Sequence, residues 1–241
     1  MQLAKNELLY EGKAKQIYAT DNPEIVLIRY KDSATAFNGE KKAMIEGKGH
    51  LNNQITSLLF EWLHLKGIES HFIKKISETE QLVKRVTIIP LEVVVRNVAA
   101  GSFSKRLGVE EGTPLKRPIV EFYYKDDKLG DPLLTEDHIN VLDLATAGEV
   151  EILKKQSMQI NEMLRSLFAS MDIRLIDFKL EFGKDEKDHV LLADEISPDT
   201  CRLWDSHTNE KLDKDIFRRN LGSLTDAYKK ILAKLEDVQH V

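Results

Sequence analysis

Leu175-Ile176-Asp177-Phe178-Lys179-Leu180-Glu181-Phe182-Gly183 is the stretch that decides how this chain is read. Its alternation is strict, and successive side chains of a β-strand point to opposite faces. Ile176, Phe178, Leu180 and Phe182 are therefore expected to face a core, while Asp177, Lys179 and Glu181 project together from the other side. After a polar loop, the apolar run Val190-Leu191-Leu192-Ala193 ends in Asp194-Glu195. A hairpin between the two runs brings Glu181 near Asp194. Two carboxylates at close range repel unless a cation lies between them, and Mg²⁺ bridging nucleotide phosphates is the usual occupant. Lys179 is then placed to touch a phosphate and Asp177 to orient a nucleophile. A solvent-facing strand whose charges pair with each other gives the same pattern, because polar alternation is normal in half-exposed strands.

Outward from this stretch, the N-terminal side reads as strands with one helix inserted. β-like runs at 10–18 and 25–30 flank the turn Thr20-Asp21-Asn22-Pro23. Residues 32–49 are small and polar and read as a loop. Leu51, Ile55, Leu58, Leu59, Trp62 and Leu63 recur at helical spacing and predict a helix over 51–66, with Gly67 as its left-handed cap. Strands follow near 68–75, 80–89 and 91–98, the last two separated by Pro90. Next come a short helix after Gly101, a strand at 119–124, and a turn at Asp126-Asp127. A long helix starts at Thr146, where Thr146 and Glu149 have capping-box spacing. Beyond strands at about 174–182 and 189–196, Asp213 is expected to cap a last helix carrying Ile216, Phe217, Leu224, Tyr228, Ile231 and Leu235. Strands first and helices last imply an α+β protein rather than regular βαβ winding. Two lobes are expected, 1–85 and 86–241.

Three further stretches carry candidate anion ligands. Glu11-Gly12-Lys13-Ala14-Lys15 sets Lys13 and Lys15 on one strand face beside a glycine. That suits a cover for phosphates, since glycine permits close backbone approach and amines neutralise oxygen charge. Solvated lysines on an exposed hairpin fit equally well. The strand at 91–96 ends in Arg96, and Gly101-Ser102 leads into a helix. Ser102 is read as an N-cap, and with Arg96 it makes a phosphate or carboxylate pocket. The other reading is a capping serine with a structural arginine. Arg202 is a second candidate anion ligand. The seven histidines show no metal-ligand spacing, and no histidine is placed to activate Cys201, which reads as a spectator.

Composition narrows the classes. The chain has 241 residues, 42% of them hydrophobic and 31% charged, as in an ordinary globular protein. A net charge of −5 argues against a surface that grips nucleic acid or an anionic membrane. One cysteine, no apolar leader at the N-terminus and no long apolar run predict a soluble, cytoplasmic protein.

Taken together, these stretches resemble the bacterial SAICAR synthetase (phosphoribosylaminoimidazole-succinocarboxamide synthase) family nearly end to end. The resemblance rests on Leu9-Tyr10-Glu11-Gly12-Lys13-Ala14-Lys15, on Gly47-Lys48-Gly49 with Asn52-Asn53, and on the segment from Pro90 to Ser102. It continues in Asp177 to Gly183, Asp194-Glu195-Ile196-Ser197-Pro198-Asp199 and Arg202-Leu203-Trp204-Asp205. It implies an ATP-grasp-like, kinase-related two-lobed α+β fold with an antiparallel-sheet N-terminal lobe. The implied reaction is ATP-dependent ligation of CAIR, a carboxyaminoimidazole ribonucleotide, to L-aspartate in purine synthesis. By position, Lys13, Lys15, Lys179 and Glu181 serve the nucleotide, and Glu181 and Asp194 are the Mg²⁺ ligands. Arg96, Ser102 and Arg202 hold the ribonucleotide phosphate. Asp177, Lys179 and Asp199 are the catalytic candidates, with Asp177 or Asp199 as the base for the aspartate amine. Adenine is expected against residues 82–86, the loop 32–39 is expected to face the substrates, and the protein is expected to be a homodimer. Two rival readings are a small-molecule kinase on the same scaffold and a nucleotide-binding module without turnover.

Overall fold

Residues 5–36 and 39–239 are described in the computed structural model. The strands β1 (Lys5–Glu11), β2 (Lys15–Thr20) and β3 (Ile25–Tyr30) form an antiparallel meander. Its second turn is the one expected at 20–23: the Thr20 hydroxyl donates to the Ile25 carbonyl at 2.8 Å. The segment read as a loop contains a two-stranded ribbon instead, β4 (Ser33–Ala36) with β5 (Lys41–Met44). Small residues hid it, because they carry little strand propensity. Phe37 and Asn38, also in the loop expected to face substrates, lie outside the described residues.

Helix α1 (Lys48–Leu65) starts three residues before the periodic pattern does, and Gly67 follows it at φ +85° as expected. The strands β6 (Phe72–Lys75) and β7 (Glu80–Lys84) complete a first sheet of order β1-β2-β3-β7-β6. Pro90 does not separate two strands: β8 (Thr87–Val98) runs straight through it. The proline sits where the pairing slips, between the partners Glu181↔Glu92 and Gly183↔Ile88, so its missing N–H leaves no gap in the ladder.

The second sheet also gathers β9 (Pro114–Tyr124), β10 (Leu133–Leu134), β11 (Ile173–Lys184), β12 (Val190–Ala193) and β13 (Cys201–Asp205). Between these strands come α2 (Gly101–Leu107), α3 (Glu136–Val141) and α4 (Ala147–Ala169), the last with the predicted Thr146–Glu149 capping box. The expected single last helix is two, α5 (Asp215–Arg219) and α6 (Leu224–Gln239). Asn220 at φ +55° and Gly222 at φ +144° turn the chain between them. Lys214, not Asp213, occupies the N-cap position of α5, although the Asp213 carboxylate accepts from the Asp215 amide at 2.7 Å.

The strict alternation of 175–183 fails at one place. Phe178, Leu180 and Phe182 enter the main core with Val93, Val95 and Ile55, but Ile176 joins a small cluster with Val98, Ala100 and Trp204. A bulge between Leu175 and Asp177 inserts one residue against β13 and turns Ile176 aside. The same bulge sets Asp177 opposite both Arg96 and Arg202.

Candidate active site

Asp177, Lys179 and Glu181 on β11 do share a face, and it lines a cavity of about 840 Å³. Lys13, Lys15, Arg96, Ser102, Asp194, Asp199 and Arg202 line the same cavity, so every residue singled out from the sequence converges on it. Two charge clusters divide its wall.

The first cluster centres on Glu181 and Asp194. The β11–β12 hairpin pairs Glu181 with Ala193, which leaves Asp194 one residue beyond the strand. Lys179 Nζ donates to Glu181 Oε1 at 2.7 Å and to Glu92 Oε1 at 2.9 Å. Lys125 reaches Glu181 at 2.9 Å, and Lys15 bonds Asp194 and lies 3.1 Å from Glu195. Burial alone would raise the Asp194 carboxyl, but Lys15, Lys179 and Lys125 outweigh it and hold the group well below the carboxylate range. Burial works to lower Lys15 and Lys179 as well, yet their carboxylate neighbours raise both well above an ordinary lysine. Asp194, Lys15 and Lys179 are therefore charged at neutral pH. Asp194 has φ +60°, a left-handed conformation uncommon outside glycine. Behind it, His71 is buried and its Nε2 lies 3.2 Å from the Asp194 carbonyl oxygen. Burial pushes this imidazole down to about 4, so the ring is neutral.

The second cluster is a clamp of two arginines on Asp177. Arg96 Nη1 donates to Asp177 Oδ2 at 2.8 Å, and Arg202 Nη1 lies 3.0 Å from both carboxylate oxygens. Arg96 also holds Glu121 at 2.7 Å, and Arg202 holds Asp215 at 3.0 Å. Ser102 is not a cap. Ala100 occupies that position without a side-chain bond, and the Ser102 hydroxyl accepts from Arg96 Nη2 at 3.1 Å. Asp199 takes a proton bond from Tyr228 at 2.6 Å and an ion pair with Lys48 at 2.6 Å. Burial would raise its carboxyl, but Lys214 and Lys48 hold it far below the usual range.

Glu92, Lys125, Glu195, Lys48, Lys214, Arg218 and His71 were not singled out from the sequence. One signal was available. Glu92 interrupts an apolar strand and stands opposite Glu181, a like-charge pair that only a shared cation such as Lys179 can stabilise. Lys48 lies in a stretch that carries the family resemblance, whereas Lys125 and Lys214 carried no signal, since an exposed and a cleft-lining lysine look alike in a sequence. Cys201 is buried and its thiol is pushed up by burial, as fits a spectator.

A cleft with paired carboxylates, lysines and an arginine clamp, on an α+β scaffold of two antiparallel sheets, has the charge to suit anionic ligands. The SAICAR synthetase family model matches residues 8–235. The phosphoribosylaminoimidazole-succinocarboxamide synthase of Bacillus subtilis (strain 168) is 67% identical over 241 residues, 100% of each chain. The crystal structure of the synthase of that name from Ehrlichia chaffeensis superposes with a TM-score of 0.93 at 54% identity, covering 95% of this chain and 98% of the other. A SAICAR synthetase (Type-2) in complex with ADP gives a TM-score of 0.92 at 46% identity, over 95% and 97%. The chain belongs to the SAICAR synthetase family.

Proposed function

We propose that this chain is the ATP-dependent ligase that joins CAIR to L-aspartate, giving SAICAR, ADP and phosphate. The observation that carries the reading is one cavity holding both clusters: the lysine–carboxylate group around Glu181 and Asp194, and the arginine clamp of Arg96, Asp177 and Arg202. The first suits ATP phosphates and the second a ribonucleotide phosphate. A carboxylate and an amine do not condense in water unaided. The CAIR carboxylate attacks the γ-phosphorus and ADP leaves; the aspartate amine then attacks the acyl carbon, loses a proton, and phosphate leaves. Lys15, Lys125 and Lys179 screen the anions while they meet, so the catalysis is positioning and electrostatics.

Mg²⁺ fits the donor set. Among the described residues no group of three or more His, Cys, Asp or Glu forms a cage. Mg²⁺ instead uses one or two carboxylates together with substrate phosphates and water. Glu181 and Asp194 would hold it, and it would neutralise phosphate charge. Asp177 and Asp199, the candidate bases, are both held in ion pairs with cations, which supports positioning roles for both. Lys214 and Arg218 line the same cavity and supply positive charge for the two carboxylates of aspartate. Val83, Lys84 and Val86 line it too, which supports adenine against residues 82–86 and residues 1–85 as the lobe that covers ATP. The reading places the enzyme in the cytoplasm as a homodimer, which light scattering on the purified protein tests.

The deciding assay follows ADP release with CAIR and L-aspartate each omitted in turn. Release is expected only with both present. Release that ignores aspartate would favour a kinase, and nucleotide binding with no release at all would favour a regulatory module. Asp194→Asn is expected to abolish turnover; near-normal activity would remove it from the metal site.

A further inference from the structure

His71 belongs to no charge cluster, yet it touches Asp194, one of the left-handed aspartates that line the cleft. Asp194 holds φ +60°, and the carbonyl of that same residue lies 3.2 Å from His71 Nε2. Aspartate tolerates the left-handed region better than most residues, and the contacts on its carbonyl and side chain decide how firmly it is held there. The surroundings here are built from the segment that carries His71. The His71 amide donates to the Leu192 carbonyl at 2.8 Å, and the Leu192 amide donates back to Glu69 at 3.3 Å. The His71 carbonyl accepts from Lys84, the last residue of β7, at 2.6 Å. The ring is fixed edge-on to Phe60, with centroids 5.8 Å apart and planes at 81°. His71 therefore ties the first sheet to β12, and its side chain extends that tie to the residue just beyond the strand. A carbonyl oxygen only accepts, so the nitrogen facing it, Nε2, must carry the hydrogen.

We propose that His71 is the positioning residue of the metal-binding turn: its Nε2–H donates to the Asp194 carbonyl and fixes the left-handed backbone that presents the Asp194 carboxylate beside Glu181. In this role His71 acts through Asp194. The proposal rests on the reading of Asp194 as a Mg²⁺ ligand, and the test separates the two.

In the wild-type protein, ¹⁵N-histidine NMR at neutral pH is expected to show His71 as the Nε2–H tautomer. The Nδ1–H tautomer would overturn the proposal. Calorimetry of ADP binding across a Mg²⁺ titration supplies the second readout. His71→Leu is expected to raise the Mg²⁺ concentration for half-maximal binding about tenfold, the scale on which partners of metal ligands act. His71→Gln restores an N–H donor of similar reach and is expected to stay within about twofold of wild type. KM for CAIR, set on the arginine clamp, is expected to be unchanged in both. A wild-type Mg²⁺ requirement in His71→Leu, or a Gln variant as impaired as the Leu variant, would overturn the role. If His71→Leu does not fold, the tautomer and the His71→Gln titration decide. Asp194→Asn is the control. If it keeps the Mg²⁺ dependence, the metal reading falls; if it loses the dependence and His71→Leu does not, only the role of His71 falls.

Discussion

Gly101 stands at φ +54°, and a Cβ built there would lie 2.4 Å from Arg202 Nη2. The clash is with the tip of a long side chain, which elsewhere would swing away. Here the guanidinium is pinned by Asp177 and Asp215, so Gly101→Ala must break that pinning or strain the turn. If the clamp holds CAIR as proposed, losing one charge-assisted bond there would weaken substrate binding about tenfold. Steady-state kinetics of Gly101→Ala should therefore show KM for CAIR raised about tenfold with KM for ATP unmoved; a change confined to ATP would assign the clamp to the nucleotide. Asp213 gives a prediction of another kind. Burial, then the neighbouring Asp215, pushes its carboxyl up to about 7 from an ordinary 3.8. The native state thus binds the proton more tightly than the unfolded chain. The stabilisation is complete below pH 3.8 and is lost as pH rises through 7, amounting to at most about 4 kcal/mol. Asp213→Asn lacks this term. Denaturant unfolding from pH 4 to pH 8 should show the stability difference moving steadily in favour of the variant, and a pH-independent difference would contradict the assignment.

Helix α4 starts in a reciprocal box: the Glu149 amide donates to the Thr146 hydroxyl at 3.2 Å, and Glu149 Oε2 accepts from the Thr146 amide at 2.7 Å. Thr146→Ala should cost about 1 kcal/mol of stability and leave kcat alone, because a lost cap acts on the helix and the box lies outside the cavity lining. Thermal unfolding beside an activity assay checks it, and a fall in kcat would show that α4 transmits to the site. This cap was legible because its signal is local: two residues at fixed spacing. The central strand was legible for the same reason. Three features were not. The bulge before Asp177 depends on β13 lying alongside, and no local pattern announces a register shift. The break between α5 and α6 turned on Asn220 adopting φ +55°, inside a sequence whose apolar spacing carries on as if helical. Ser102 looked like a cap because it precedes a helix, but the guanidinium of Arg96 claimed its hydroxyl. In each case a register shift, a backbone conformation or a side-chain contact that the local pattern does not announce overrode a nearby propensity.

Across the whole molecule the net charge of −5 conceals a local reversal. Among the described residues lining the cavity, ten are lysine or arginine and eight are aspartate or glutamate, so the cleft is positive inside an acidic protein. Most of these cations are committed to carboxylates on the wall. Lys13 is paired at the mouth instead, with Asp127, at 2.6 Å and with both side chains exposed. The two residues follow strands of different sheets, Lys13 after β1 and Asp127 after β9. An exposed pair of this kind adds at most about 1 kcal/mol to stability, since water and salt screen it. On the proposed function its weight falls on ligand entry, where Asp127 would compete with incoming phosphates for the Lys13 ammonium. Lys13→Ala should raise KM for ATP severalfold and flatten its dependence on ionic strength. Asp127→Asn should lower KM for ATP, because it frees the lysine, and should leave the melting temperature within a degree or so, as expected for a weak surface pair. Opposite shifts in the two variants identify Lys13 as the phosphate ligand and Asp127 as its competitor. If both variants raise KM, the closed pair itself holds the nucleotide, and the mouth works as a clasp rather than as a competition for one charge.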